Sequence, residues 1–300
     1  MRIGFIGLGI MGKPMAINLL KKGYELMVND HHLNNIDTCI SHGAVSGTLQ
    51  EIAKQCDVII TMLPNSPQVK EVMLSEDIMS HLHEGQIYID TSSIDPSESV
   101  NVYNVIREKG VEMLDAPVSG GEPKAIDGTL SFMVGGREEV FEYCKPILSA
   151  MGSSVVRIGE VGTGNVAKLA NQIIVAVNIA ALAEGLMFAK MAGADPGTVY
   201  EAIKGGLAGS TVMNAKAPMM LSNDTKPGFR IDLHIKDLNN AINNAHQNGS
   251  PLLLSSEVME MLQQVRVSGF GKADHSALSK FYEMMTGTQL SEQEKCRLKS

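Results

Sequence analysis

The stretch Arg2-Ile3-Gly4-Phe5-Ile6-Gly7-Leu8-Gly9-Ile10-Met11-Gly12 decides how the chain is read. Its first half is an apolar run suited to a buried strand. Its second half is G-x-G-x-x-G, opening into a helical pattern over Met11 to Lys22. Strand, glycine turn and helix in that order open a dinucleotide-binding βαβ unit. Gly7 permits the tight turn, Gly9 lets a pyrophosphate approach the backbone, and Gly12 lets the helix pack close to the strand. The N–H groups around Ile10, Met11 and Gly12 then face the phosphates. Asp30 ends the next apolar run, ELMVND, roughly twenty residues on. A carboxylate there accepts hydrogen bonds from both ribose hydroxyls and repels a 2′-phosphate, so NAD is expected over NADP. His31 stands where an NADP enzyme often carries arginine and still tolerates a phosphate, which leaves NADP possible. The bland alternative is a structural turn followed by a surface aspartate.

Outward from this motif, apolar runs alternate with helical patterns to about residue 160. The runs are RIGFIG, ELMVND, DVIITML, QIYIDTSS, VEMLDAPVS, LSFMVGG and SSVVRIG, and Pro96 to Lys109 is a typical helical stretch between them. Such alternation predicts βαβ units and a largely parallel sheet. After Gly162-Thr163-Gly164 no convincing strand is left. Helical segments are expected over roughly 165–191, 196–204, 231–248, 251–267 and 276–285. The predicted fold is an α/β Rossmann domain (1–162) followed by an all-α domain (163–300), joined by one long helix. The helical half carries Met187, Met191, Met219, Met220, Met259, Met261 and Met284, and some of these must face a partner domain or another subunit.

The carboxyl ends of later strands should supply the second wall of the nucleotide site. Met62-Leu63-Pro64 and Ser92-Ser93 are the candidates; the serines either reach the nicotinamide side or cap the helix at Pro96. The turn Asp115-Ala116-Pro117-Val118-Ser119-Gly120-Gly121 either cradles a substrate carboxylate with backbone N–H groups and the Ser119 hydroxyl, or is a plain exit from a strand. In GNVAKLANQ, Lys168, Asn171 and Gln172 fall at i, i+3 and i+4, on one face of an otherwise apolar helix. A lysine there either snorkels or has a task, and a burial-lowered amine can deliver a proton to the alkoxide that forms on hydride transfer to a carbonyl. No arginine pair suited to a phosphate accompanies the Ser119 turn, so the ligand should be a short carboxylate.

Composition narrows the classes. The 300 residues are 44 % hydrophobic and 19 % charged, with net charge −8 and pI near 5.5, which argues against a nucleic-acid partner. Cys39, Cys56, Cys144 and Cys296 are scattered without C-x-x-C spacing, so neither a metal site nor a disulfide framework is expected. Because the pattern MRIGFIGLG already reads as a structured strand and turn, no signal peptide is expected. The apolar stretch from Val166 to Ala194 carries Lys168, Asn171, Gln172, Asn178, Glu184 and Lys190, too many polar groups for a membrane span. A cytoplasmic location is expected.

The segments IGFIGLGIMGKPMAINLLKKGY, DAPVSGGEPKAIDGTLSFMVGG, GTGNVAKLANQ and GFRIDLHIKDL occur in this order along nearly the whole chain. In them the sequence resembles the β-hydroxyacid dehydrogenases, which include 3-hydroxyisobutyrate dehydrogenase. Two stretches, MLPNSPQVKEV and GGLAGSTVMNAKAPMML, resemble a subgroup that reduces a short hydroxy-semialdehyde. The resemblance implies Lys168 as the catalytic lysine and Ser119-Gly120-Gly121 as the substrate turn. It makes Asn171 and Gln172 substrate-contacting amides, though many relatives carry asparagine at position 172, and sets Lys236 near the nicotinamide. It also implies a small semialdehyde or hydroxy-acid substrate and a homodimer or homotetramer. Some relatives keep the fold as non-catalytic nucleotide-binding modules but lose the lysine; this chain retains it.

Overall fold

The computed structural model describes residues 1–291, so Cys296 lies outside the described residues. The chain forms two compact units, Met1–Leu169 and Ala170–Ser300.

The first unit runs β1 (Arg2–Ile6), α1 (Gly12–Lys21), β2 (Glu25–Asn29), α2 (Leu33–Ile40), β3 (Val45–Ser46), α3 (Leu49–Gln55), β4 (Val58–Thr61), α4 (Ser66–Met73), α5 (Glu76–Met79), β5 (Ile87–Asp90) and α6 (Pro96–Ile106). It continues through β6 (Glu112–Asp115), β7 (Val118–Ser119), α7 (Gly121–Asp127), β8 (Leu130–Gly135), α8 (Glu138–Ser149) and β9 (Gly152–Gly159) into α9 (Thr163–Met191). The sheet order is β3-β2-β1-β4-β5-β6-β8-β7, with β9 on β8. Pairing is parallel from β3 through to β6 and between β8 and β9, and antiparallel where β8 meets β6 and β7. This is the expected Rossmann sheet. Because helices cover both faces, the inner strands are buried on both sides: Val58, Ile59, Ile60 and Thr61 of β4 are all at most 1 % exposed. The run VEMLDAPVS, expected as one strand, breaks into β6 and β7 at Ala116-Pro117, because Pro117 has no N–H to give the ladder.

α9 is the expected long helix, continuous from the first unit into the second. It is long and apolar enough to cross a membrane, but half of its most apolar window is buried inside the protein, as in a core helix. The second unit adds α10 (Pro196–Ile203), α11 (Thr211–Ser222), α12 (Ile231–Gln247), α13 (Leu253–Val265) and α14 (Ser279–Thr286). Its described residues contain no strand, only an isolated bridge between Arg230 and Asp274. Helix α11 was not expected: Pro218 lies inside it and its apolar residues follow no single stripe. Met187, Met220 and Met259 fill this unit's core with Leu186, Ile235, Leu238 and Leu262, while Met191 and Met284 are exposed.

Candidate active site

The glycine loop folds as its spacing requires. Gly7 has φ +94°, a left-handed conformation in which a Cβ would strike the Met62 carbonyl. A Cβ on Gly12 would overlap the Gly7 carbonyl, which is how closely α1 approaches the loop. A Cβ on Gly9 would meet nothing within 4 Å, so the backbone is open where a pyrophosphate would lie. Ile10 is 59 % exposed and Met11 half-buried. The donor set therefore fits a dinucleotide. Asp30 does more than flank the site: its carboxylate accepts the Leu8 N–H at 2.6 Å and the His32 N–H at 2.7 Å. It thus ties the loop to the end of β2, and each oxygen keeps a second lone pair for a ribose hydroxyl. His31 is exposed.

The opposite wall is assembled from the ends of β4 and β5. Leu63 donates its N–H to Ser92 Oγ at 2.9 Å, and Met62 N–H bonds to the Ile6 carbonyl at 3.0 Å. Thr61 Oγ1 donates to Asp90 Oδ1 at 2.8 Å, and Asp90 in turn receives the Ser92 N–H at 3.0 Å. The structure thus brings Gly7, Asp30, Met62, Leu63 and Ser92 into one connected group. Pro64 and Ser93 continue the same two segments. The hydroxyl of Ser92 is a loop brace, whereas the N-cap at Pro96 is made by Asp95.

Asp90 and Asp115 are register partners at the ends of β5 and β6, both fully buried. Burial pushes Asp115 up to about 7, against the lowering effect of two backbone N–H groups, while the charge of Asp90 raises it further. Those N–H groups are Gly162, at 2.7 Å, and Asn165, at 2.8 Å, where α9 begins. Ser119 closes β7 opposite Ser131, and Gly120 (φ +139°) and Gly121 (φ +69°) turn the chain into α7. Lys168, in the second turn of α9, is 6 % exposed.

In the second unit Asn171, Gln172 and Lys236 converge on a residue that the sequence reading passed over. Asn171 Nδ2 donates to Gln172 Oε1 at 2.9 Å, and Gln172 Nε2 donates to Asp237 Oδ2 at 2.6 Å. Lys236 Nζ lies 3.0 Å from Asp237 Oδ1. Asp237, 1 % exposed, therefore holds Gln172 and Lys236 directly and Asn171 through Gln172. Its signal in the sequence is a carboxylate on the inward face of an amphipathic helix. Behind it, His234 Nε2 contacts the Gln172 backbone carbonyl at 3.1 Å, and since a carbonyl only accepts, Nε2 is the donor. The Nδ1 atoms of His234 and His275 lie 2.9 Å apart, so one of the two rings donates to the other. Among the described residues no group of three His, Cys, Asp or Glu side chains is placed to hold a metal ion.

Residues 2–159 match the family described as the NAD binding domain of 6-phosphogluconate dehydrogenase. Residues 162–282 match the NAD-binding family of NADP-dependent 3-hydroxyisobutyrate dehydrogenase. The chain belongs to the β-hydroxyacid dehydrogenase family. It is 42 % identical to the 2-hydroxy-3-oxopropionate reductase of Escherichia coli K12 over 97 % of this chain and 100 % of that one. To the 2-(hydroxymethyl)glutarate dehydrogenase of Eubacterium barkeri it is 38 % identical, over 97 % of each. A solved structure of Mycobacterium tuberculosis 3-hydroxyisobutyrate dehydrogenase with L-serine superposes with a TM-score of 0.88 at 29 % identity, covering 93 % of this chain and 98 % of that one. As a β-hydroxyacid dehydrogenase, the protein is an NAD(P)-dependent oxidoreductase acting on CH–OH groups of small hydroxy acids.

Proposed function

We propose that this dehydrogenase reduces tartronate semialdehyde (2-hydroxy-3-oxopropanoate) to glycerate in the cytoplasm, with NADH as the preferred hydride donor. Residues 1–162 hold the nucleotide, with Asp30 and His31 at the adenosine ribose. The Ser119-Gly120-Gly121 turn takes the substrate carboxylate, and residues 163–300 serve substrate binding and self-association. A bound NADH would supply the hydride that the aldehyde carbon takes up. Lys168 gives its proton to the alkoxide oxygen, and takes one back in the oxidative direction.

The observation that carries the substrate choice is the amide pair on α9. Asn171 donates to Gln172, which Asp237 anchors in turn, so the Asn171 amide is held in place. A substrate hydroxyl satisfies such a group. A methyl in its place denies the half-buried Asn171 amide that hydrogen bond, which costs up to about 1–3 kcal/mol. The likeness to a 2-hydroxy-3-oxopropionate reductase points the same way. The second reading, 3-hydroxyisobutyrate dehydrogenase, is favoured by the superposed structure of that name. Specificity constants for tartronate and methylmalonate semialdehydes at fixed NADH decide between them. The expected ratio favours the hydroxylated aldehyde by about 10-fold or more, the equivalent of at least 1.4 kcal/mol. A ratio at or below unity assigns the protein to the second reading.

A further inference from the structure

The start of α9 is held from three directions, all within the first unit. Below it, the Asp115 carboxylate takes the N–H groups of Gly162 and Asn165, one oxygen each, at 2.7 and 2.8 Å. These belong to the unpaired donors of a helix N-terminus, where a carboxylate is favoured by the dipole as well. To one side, Asn165 Oδ1 accepts the Ile94 N–H at 3.0 Å, and its Nδ2 donates to Ser99 Oγ at 3.1 Å. That binds the helix to the loop carrying Ser92 and Ser93. Asn165, Asp115, Ile94 and Ser99 are all fully buried. On the third side Gly164 is pressed onto backbone: a Cβ there would overlap the Asp115 and Met133 carbonyls, neither of which can swing away.

Helix capping alone needs only the carboxylate. The side-chain ties of Asn165 and the bare backbone at Gly164 fix rotation and axial height as well. Lys168 is three residues beyond Asn165, on the same helix face and about 4.5 Å higher along the axis. We propose that Asp115, Gly164 and Asn165 form a socket that sets the phase of α9, and that Asp115 and Asn165 are positioning residues acting through that turn on Lys168. The proposal rests on the reading of Lys168 as proton donor. A displacement of about 1 Å at a reacting group lowers rates by about 10²-fold, so small slips of the socket register in turnover before they register in binding.

The test compares Gly164→Ala, Asn165→Ala, Ser99→Ala and Lys168→Ala in the full-length holoenzyme. Turnover, the aldehyde KM, the NADH Kd by fluorescence, the solvent deuterium isotope effect on kcat and the melting temperature are measured for each. Gly164→Ala and Asn165→Ala are expected to lower kcat by about 10- to 100-fold, with NADH Kd within about twofold of wild type and a larger solvent isotope effect, because the misplaced amine makes proton transfer limiting. Ser99→Ala, which removes one tie, is expected to show the same pattern in weaker form. A kcat within about twofold of wild type in the Asn165 variant, or a loss matched only by the unfolded fraction with no change in isotope effect, overturns the proposal. Should Gly164→Ala fail to fold, the Asn165 and Ser99 variants decide. Retention of turnover in Lys168→Ala overturns the underlying reading instead, which separates the two failures.

Discussion

Lys168 is the residue on which the proposed chemistry turns. It is a lysine at 6 % exposure on an apolar helix, and burying so polar a group is costly. Lys168→Ala is expected to lower turnover by at least 10²- to 10⁴-fold while leaving NADH affinity nearly unchanged. A variant keeping more than about a tenth of turnover, a barrier change of 1.4 kcal/mol or less, would refute the role. Asp30 presents a different case, because its carboxylate also braces the glycine loop through Leu8. Asp30→Ser with His31→Arg is expected to shift the kcat/KM ratio towards NADPH and to lower stability too, since the Leu8 N–H loses a charged acceptor. Steady-state comparison of the two cofactors checks the first point and a thermal melt the second. A wild-type enzyme that strongly prefers NADPH would contradict the assignment. Asp115 couples to pH. Burial raises it to about 7 in the fold, against about 3.9 in the unfolded chain, so the folded state binds its proton more tightly. The stability this proton contributes is full below pH about 4 and is lost as pH rises through 7. Urea midpoints of the wild type should carry that component between these limits, and those of Asp115→Asn should lack it.

At the scale of elements, most of the first unit was legible because its strands are uninterrupted apolar runs bounded by turn residues. The exceptions have local causes. β3 is only Val45–Ser46, too short for any periodicity, and Pro117 divides what reads as a single strand. In the second unit α11 escaped because Pro218 sits where a helix should break. At the candidate site, the sequence singled out residues whose type alone suggests a role, as with the glycines, Asp30 and Lys168. The site was not legible where meaning comes from pairing across the fold: Asp90 beside Asp115, Asn165 reaching Ile94, and Asp237 gathering Gln172 and Lys236. The β1-to-α1 turn offers a test at this scale. Gly12→Ala places a methyl against the Gly7 carbonyl, so α1 must move outward. Melting temperature and NADH affinity are expected to fall together. An unchanged NADH Kd would show that the phosphates do not depend on this approach.

For the molecule as a whole, the apolar surface left in the open is the guide to assembly. Ile174 (60 %), Phe188 (74 %) and Met191 (58 %) stay exposed along α9, and Leu253 (80 %), Leu254 (68 %) and Met285 (70 %) elsewhere in the second unit. Surface of this kind is expected to be covered by a second copy over at least about 1,000 Å². Light scattering at micromolar concentration should give a dimer or tetramer, and a monomer would contradict it. The cysteines carry a separate consequence. Cys39, Cys56 and Cys144 are buried in the cores of the first unit, and burial holds the Cys56 thiol near 11 and that of Cys144 near 12. Thiolate is the reactive form, so a disulfide reagent meets these three only when that unit opens. With Cys296 changed to serine, the labelling rate becomes a clock for nucleotide-domain unfolding that ignores the helical unit. Saturating NADH should slow that clock by a factor of 1 + [NADH]/Kd.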